Sequence, residues 1–265
     1  MSAHLSFAVE LARQAGELLL RYFRLAELST SLKADKSLVT EADLAADELI
    51  AAAVRREYPD DRLLSEELAP ELGRAAGESA GPAVWIIDPL DGTTNFSLGL
   101  HVWGVVIARA AAGRPETAVL YFPLTGELYS AARGQGAHLN GEPIAVRPPQ
   151  TGRPSAFFSC CSRSHRRYRI SVPYKTRILG SAAYSLCAVA RGAAVLAFEA
   201  TPKIWDIAAG SLLVEEAGGV VGGLDGRGAF PLASGVDYGR LSLPTLAAAD
   251  REVLEKAKGQ ILPRN

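Results

Sequence analysis

Asp88 and Asp91 come directly after a run of four apolar residues, 84–87, and are separated by Pro89 and Leu90. Such a run predicts a short strand buried on both faces. Two carboxylates at its end would repel each other and lose hydration unless a positive charge lies between them. Mg²⁺ is the usual solution, since it binds carboxylate oxygens beside a substrate phosphate. The alternative is a polar turn in which Asp91 caps a helix.

The next residues, Gly92, Thr93, Thr94 and Asn95, favour a tight turn into a helix N-terminus. The unpaired N–H groups and the dipole of a helix start bind phosphate, and Gly92 lets the backbone approach closely. A phosphate site beside the metal site is therefore predicted.

Other familiar catalytic sites are absent from the sequence. It has no Gly-x-x-x-x-Gly-Lys phosphate loop and no Gly-x-Ser-x-Gly turn, the four histidines lack a zinc-type spacing, and the three cysteines form no Cys-x-x-Cys. Hydrolase triads and structural zinc are therefore disfavoured.

Periodicity and turn residues indicate the elements that must position these groups. Helices are predicted over residues 5–23, 41–57, 182–190 and 207–216, the last closed by Gly218 and Gly219. Strands are predicted over 62–65, 84–87, 102–108, 117–122 and 127–131, with turns at 123–126 and 140–141. Residues 69–82 are predicted to form a loop. The Pro-rich stretch 146–155 suggests two sub-domains, 1–150 with most metal ligands and 151–265.

Composition limits the partners. The 265 residues are 48% hydrophobic and 22% charged, as in globular proteins, and the formal net charge is −1. With a net charge this close to zero, the protein as a whole does not attract nucleic acid or an anionic membrane electrostatically, and we expect neither as a partner. The basic cluster within residues 163–177 favours a solvated face or a subunit contact, with capture of an anionic substrate as the alternative. Three cysteines, no signal peptide and no membrane-spanning run predict a cytoplasmic protein.

The run Trp-Ile-Ile-Asp-Pro-Leu-Asp-Gly-Thr-Thr-Asn-Phe over residues 85–96 resembles the signature of the inositol monophosphatase family, which are Mg²⁺-dependent, lithium-sensitive phosphomonoesterases. A second signature, Trp-Asp before a small-residue helix and Glu-Ala-Gly-Gly, has its counterpart in residues 205–219. Glu66-Glu67 after a strand and Val-Thr-Glu-Ala-Asp at 39–43 resemble two more. These four segments keep the family's order, so the resemblance is specific.

The resemblance implies an α/β (α+β) fold, a layered αβαβα sandwich of the inositol monophosphatase/fructose-1,6-bisphosphatase type. It implies two or three Mg²⁺ ions bound by Glu66, Asp88, the Leu90 carbonyl, Asp91 and Asp206. Asp43 would hold Thr93, and the pair would orient and deprotonate the attacking water. The residues implied in catalysis are Asp43, Glu66, Asp91 and Thr93. Those implied in substrate binding are Gly92, Thr93, Ser181, Ala182, Glu199 and Asp206.

Electrostatics agree with these implied roles. Several carboxylates facing a phosphate dianion would repel it, and Mg²⁺ ions about 3.5–4 Å apart would reverse that field. No side chain is an obvious nucleophile, so water would attack in line. Taken alone, Thr40 and Asp43 are more typical of a helix cap, Glu66 and Glu67 of a solvated pair, and Glu199 of an exposed acid at a strand end.

The substrate is less determined than the chemistry. Inositol monophosphate is the first expectation, since a pocket built around Glu199 favours a polyhydroxylated or cationic leaving group over a second phosphate. Fructose 1,6-bisphosphate, histidinol phosphate and a 3′-phosphonucleotide remain alternatives. Trp103 resembles a feature of the related histidinol-phosphate phosphatases, whereas Thr94 stands where those enzymes tend to carry lysine. The segment 159–180 is shorter than its counterpart in the family, where a helix borders the active site and contributes to dimer contacts. The difference therefore bears on specificity and on the homodimer that the resemblance implies. A regulatory or scaffold relative is the non-enzymatic alternative.

Overall fold

Five layers, alternately helical and sheet-like, make up the computed structural model. It describes residues 2–23, 30–32, 38–67, 74–75, 82–149, 156–233 and 235–264, without the side chains of 30–32, 38–39 and 74–75. Among these residues, no helix is long and apolar enough to cross a bilayer.

The helices are α1 (Ala3–Phe23), α2 (Glu41–Glu57), α3 (Thr93–Ser97), α4 (Ser164–Arg167), α5 (Ala182–Ala190), α6 (Ile204–Glu216) and α7 (Arg251–Gln260). The strands of the first half are β1 (Thr30–Leu32), β2 (Leu38–Thr40), β3 (Arg62–Ser65), β4 (Arg74–Ala75), β5 (Val84–Asp91), β6 (Gly104–Ala111), β7 (Arg114–Phe122), β8 (Glu127–Ala132), β9 (Ala137–Leu139) and β10 (Glu142–Ile144). Those of the second half are β11 (Phe157–Cys160), β12 (Tyr168–Ile170), β13 (Lys175–Arg177), β14 (Ala194–Glu199), β15 (Val220–Gly223), β16 (Val236–Asp237), β17 (Thr245–Ala248) and β18 (Ile261–Pro263).

A seven-stranded sheet in the order β10-β9-β8-β7-β6-β5-β3 is antiparallel except for the parallel pair β3–β5. All eight residues of β5 are buried, as its apolar run predicts. The prediction that this strand ends before Asp88 is wrong: it continues to Asp91, with a register shift between Asp88 and Asp91. Pro89, which has no N–H to donate, lies within that irregularity.

A five-stranded sheet in the order β13-β11-β14-β17-β15 forms the second β layer. Its strands β13, β11 and β14 are parallel, whereas β17 is antiparallel to both of its neighbours. Because parallel strands end at the same edge, the segments after β13, β11 and β14 leave the sheet side by side. The sequence-based elements did not include these three strands.

Apolar side chains define the layers. Trp85 and Ile87 of β5 pack with α1 and α2, whereas Ile86 packs with α5 and α6 on the opposite face. Ala197 and other small residues of the five-stranded sheet join the core around α5 and α6. On that sheet's outer face, Phe198 packs with α7. The order helix, sheet, helix, sheet, helix confirms the predicted αβαβα sandwich.

The remaining local predictions have mixed outcomes. Helix α2 has the predicted bounds, and α6 closes as predicted, with Gly218 in the left-handed region and the Gly219 N–H donating to Val214 O at 2.8 Å. Helix α6 begins at Ile204 rather than at 207, and the Asp206 carboxylate in its first turn accepts a hydrogen bond from the Lys203 N–H at 2.7 Å. Residues 150–155, where the two sub-domains would divide, and most of the predicted loop 69–82 lie outside the described residues. The two sub-domains remain a prediction.

Candidate active site

Three carboxylates converge where the two sheets meet α6. Glu66 follows β3, Asp88 lies in β5 and Asp206 lies in the first turn of α6; each offers one oxygen, and these three atoms lie within 4.8 Å of one another. Glu66 and Asp88 meet because β3 and β5 are parallel neighbours, with the Glu66 N–H donating to Ile87 O at 3.1 Å. Glu66 is half-buried, so it is not the fully solvated acid that its sequence context alone favoured.

The electrostatics of this cluster fit a divalent cation. Burial first, and then the charges of Glu66, Asp91 and Asp206, raise the pKa of Asp88 well above its ordinary value. Burial, Glu66 and Asp91 do the same to the pKa of Asp206, against the Lys203 N–H that donates to it at 2.7 Å. The mutual repulsion of such closely spaced carboxylates is reduced when they bind a hard cation that prefers oxygen ligands, such as Mg²⁺.

Asp91 links β5 to the start of α5. Its carboxylate accepts hydrogen bonds from the Ser181 hydroxyl and from the Ala182 and Ala183 N–H groups, the latter two at 3.2 Å. Burial raises its pKa to about 6, although these three hydrogen bonds act to lower it. Asp91 therefore lies beside the three-oxygen cluster, and its predicted role as a metal ligand remains a prediction.

Asp43 contacts Thr93 and also caps its own helix. The Thr93 Oγ1 lies 3.1 Å from Asp43 Oδ1 and 3.0 Å from Leu90 O, so its one proton is shared between two acceptors. The Thr40 N–H donates to the other Asp43 oxygen at 2.8 Å, completing the capping box. Burial is the main cause that raises the pKa of Asp43. The cap and the contact with Thr93 thus coexist.

The turn at Gly92 requires glycine. Its φ is +90°, and a Cβ at this position would lie 2.8 Å from Val102 O. The one-turn helix α3 follows, with the Phe96 N–H donating to Gly92 O at 3.0 Å.

Asn95 is a positioning residue that sequence reasoning missed. Its buried amide donates to Val102 O at 2.7 Å and to Leu179 O at 2.9 Å, tying the Gly92 turn to the segment before Ser181. The signal in the sequence was the position of Asn95 within the signature of residues 85–96.

A cavity of about 220 Å³ opens beside Asp206. Its wall is formed by the segments that follow the three parallel strands of the five-stranded sheet, as expected for a site at the carboxyl ends of strands. The lining residues are Cys161, Ser162 and Arg163 after β11, Gly180, Ser181 and Ala182 after β13, Glu199 at the end of β14, Thr201 and Pro202 after it, and Asp206.

Glu199 is a buried member of this wall. It is 3% exposed, so it is not an exposed acid at a strand end. Burial and the Cys161 thiol raise its pKa well above the ordinary value, against a hydrogen bond from Ser185. The predicted substrate residues Ser181, Ala182, Glu199 and Asp206 share this cavity, whereas Gly92 and Thr93 lie at the Asp43 side. Cys161 and Thr201 are lining residues that sequence reasoning missed. Trp103, by contrast, is fully buried in the core against Phe23 and Phe96.

Comparison with known proteins gives consistent results. The model of the inositol monophosphatase family matches residues 1–257. The chain is 37% identical over 246 residues to the Nus factor SuhB of Pasteurella multocida, covering 89% of this chain and 90% of that one. It is 36% identical over 231 residues to a histidinol-phosphatase of Chlorobaculum parvum, covering 83% and 85%. The crystal structure of the extragenic suppressor protein suhB from Bartonella henselae superimposes with a TM-score of 0.82 at 29% identity, covering 98% of both chains.

Proposed function

The chain belongs to the inositol monophosphatase family, and on this premise we propose that it is a Mg²⁺-dependent phosphomonoesterase for a small phosphate ester, inositol monophosphate being the first candidate. The observation that carries the proposal is the cluster of Glu66, Asp88 and Asp206 beside a cavity that contains a buried Glu199. Acids concentrated in this way suit phosphate chemistry only when cations balance them.

The residues proposed to hold two or three Mg²⁺ ions are Glu66, Asp88, the Leu90 carbonyl, Asp91 and Asp206. When bound, Mg²⁺ supplies the positive charge that draws in the phosphate, acidifies water and stabilises the leaving oxygen.

The chain's own groups would orient the nucleophile and the phosphate. Asp43 Oδ1, one of the two acceptors within reach of the Thr93 hydroxyl proton, lies 3.1 Å from Thr93 Oγ1. When the proton is directed to Asp43, the hydroxyl oxygen can accept a hydrogen bond from the attacking water. Water would then attack phosphorus in line, and the bond between phosphorus and the ester oxygen would break on the opposite side. The proton that the water loses would pass towards the Asp43 carboxylate, and the leaving alkoxide would take a proton from solvent. The N–H groups of Gly92 and Thr93 would bind the phosphate oxygens at this turn, where Gly92 lies close to the Val102 backbone.

Glu199 and the start of α5 would receive the leaving group. A buried carboxyl group accepts hydrogen bonds from substrate hydroxyls without competition from water, which favours a polyol such as inositol. The bonds from Ser181, Ala182 and Ala183 to Asp91 fix this wall relative to the acid cluster.

Two alternatives have specific support. Histidinol phosphate is favoured by the 36% identical relative named histidinol-phosphatase, and a regulatory role by the relative named Nus factor SuhB. Fructose 1,6-bisphosphate and a 3′-phosphonucleotide are further candidates on the same scaffold. Against a purely regulatory role, all six side chains expected in the centre have the required type: Asp43, Glu66, Asp88, Asp91, Thr93 and Asp206. A homodimer in the cytoplasm remains a prediction.

The test measures phosphate release from inositol 1-phosphate, fructose 1,6-bisphosphate, histidinol phosphate and adenosine 3′,5′-bisphosphate, with Mg²⁺ or EDTA. Asp88→Asn removes one acid of the cluster, and Asp225→Asn, which alters an exposed acid paired with Arg227, is the matched control. We expect EDTA-sensitive turnover that Asp88→Asn abolishes and Asp225→Asn retains. If folded wild-type protein neither hydrolyses any of these esters nor binds Mg²⁺, the proposal is wrong.

A further inference from the structure

Arg163 is the one basic residue among the described residues that line the Glu199 cavity. It lies between β11 and α4, at the sheet edge where Glu199 ends β14. Because Arg163 is exposed and Glu199 is buried, we call the Arg163 side of the cavity its mouth. Its side chain is exposed, and Nη1 donates to the Thr201 hydroxyl oxygen at 3.2 Å across the same wall.

Most of this guanidinium is available to a ligand. A guanidinium carries five N–H donors, and the Thr201 contact uses one of them. Among the residues that the structure describes, no carboxylate forms an ion pair with Arg163. Arg191 and Arg109, by contrast, are each paired with glutamate.

The cation is also placed apart from the Asp43 side, where the reacting phosphate is expected. Asp43 and Thr93 meet at the Gly92 turn, whereas Arg163 lies on the wall built by Glu199 and Thr201. A group that contacts Arg163 would therefore belong to the leaving group.

We propose that Arg163 is a specificity-determining residue that binds an anionic substituent, a second phosphate or a carboxylate, on the leaving group of the substrate. This inference rests on the proposed phosphatase function and extends it. Glu199 accepts hydrogen bonds from hydroxyl groups at the base of the cavity, and Arg163 binds the anion at its mouth. The proposed substrate class thereby extends from polyol monophosphates to polyol bisphosphates, which departs from the sequence-based expectation that the pocket around Glu199 disfavours a second phosphate.

Two matched substrate pairs test the proposal: fructose 1-phosphate against fructose 1,6-bisphosphate, and inositol 1-phosphate against inositol 1,4-bisphosphate. We expect Arg163→Gln to lower kcat/KM for a bisphosphate about tenfold, mostly through KM, and to lower that for its monophosphate less than about threefold. Arg163→Lys should restore part of the preference, because it keeps the charge without the planar set of donors.

Arg166→Gln is the matched control, since it removes the same charge from an exposed residue of α4 that does not line the cavity. The ratio of the two kcat/KM values should stay at the wild-type level in this variant. An equal loss for mono- and bisphosphate in Arg163→Gln would place Arg163 at the reacting phosphate, and no loss for either would remove its role; both results overturn the proposal.

Equilibrium binding separates this inference from the proposed function. Calorimetric titration of the same esters, with Ca²⁺ in place of Mg²⁺, compares wild type and Arg163→Gln without requiring turnover. If wild type hydrolyses none of the esters but still binds the bisphosphates about tenfold more tightly than the variant does, the phosphatase assignment fails and the role of Arg163 stands. Equal bisphosphate binding by the two proteins overturns the role of Arg163 whatever the activity.

Discussion

The candidate site has two ends that are built differently. We define the metal end, where Mg²⁺ is proposed to bind, as Glu66, Asp88, Asp91 and Asp206. The leaving-group end, proposed to bind the rest of the substrate, is Cys161, Arg163, Glu199 and Thr201. The metal end gathers acids from the seven-stranded sheet and α6, and backbone N–H groups hold three of them: Leu90 donates to Asp88 at 3.0 Å, Lys203 to Asp206, and α5 to Asp91. The leaving-group end consists of segments that follow parallel strands of the other sheet.

This difference separates chemistry from specificity. Backbone donors can be kept whatever side chains surround them, so the geometry of the metal end is preset by the fold. The leaving-group end depends on the side chains at the sheet edge, among them the exposed Arg163. Substitutions at the metal end should therefore reduce kcat for every ester, whereas those at the leaving-group end should change KM selectively.

Asp91→Asn should have the largest effect. Asparagine keeps the size of Asp91 but removes a charge from the acid cluster. Its NH₂ group would face either the Ala182 N–H, which donates to Oδ1, or the Ser181 and Ala183 donors, which bond to Oδ2. We expect a loss on the order of 10³-fold in kcat for all esters, as for other preorganised electrostatic contacts. Phosphate release at saturating Mg²⁺ measures it, with circular dichroism to verify the fold. Turnover near the wild-type level would mean that the metal end is misplaced.

Thr93→Val tests the contact with Asp43 separately from the acid cluster. Valine has nearly the shape of threonine but lacks the hydroxyl that lies 3.1 Å from Asp43. Since positioned proton transfer contributes about 10²–10⁴-fold, we expect kcat to fall about 10²-fold with little change in Mg²⁺ affinity. Thr93→Ser should recover most of the rate. If Thr93→Val and Thr93→Ser are equally impaired, the methyl group matters more than the hydroxyl.

At the metal end, local sequence rules singled out Asp88 and Asp91, whereas Glu66 and Asp206 were assigned only through the resemblance to the family. Asp88 and Asp91 come after an apolar run that the structure shows as the buried strand β5. Outside the metal end, the predicted capping box of Thr40 and Asp43 is also present in the structure. The local pattern predicted the buried strand but not its extension to Asp91. That extension contains a register shift, which depends on the pairing with β6.

The leaving-group end was less predictable because it depends on long-range pairing. Strands β11, β13 and β14 are short, and their parallel partners lie far along the chain, so no local period reveals them. Sequence reasoning found Glu199 only through the resemblance, and it placed Arg163 within a basic cluster without locating it at the cavity. Asn95 was missed for the same reason, since its partner Leu179 is 84 residues away.

Glu199→Leu should have a smaller and more selective effect than either change at the metal end. Leucine has a similar size and removes every hydrogen bond of the carboxyl group, whichever protonation state it has. We expect KM for inositol 1-phosphate to rise about tenfold, the net value of about one hydrogen bond, while kcat changes less than about threefold. Steady-state kinetics on polyol and non-polyol esters measure this. An unchanged KM for every ester would remove the role of Glu199.

The smallest expected effect is on the stability of the metal-free protein. Burial gives Asp91 a folded-state pKa of about 6 against an ordinary value of 3.8, so between these values the folded protein binds more protons than the unfolded chain. The free energy of unfolding therefore falls as the pH rises through this window and stays lower above it. Burial also raises the pKa of Asp88, Asp206 and Glu199, which extends the fall to higher pH.

We expect the Tm of EDTA-treated protein to be roughly 5 °C lower at pH 8 than at pH 5. Mg²⁺ should reverse this fall at pH 8 and do little at pH 5, because the cation binds deprotonated carboxylates. Differential scanning calorimetry of two variants distinguishes the two ends of the site. Asp91→Asn should lose part of both the pH-dependent fall and the Mg²⁺-dependent rise, whereas Glu199→Gln should lose part of the fall and keep the rise. If Mg²⁺ raised the Tm of Asp91→Asn and wild type equally, the buried acid at Asp91 would not belong to the metal end.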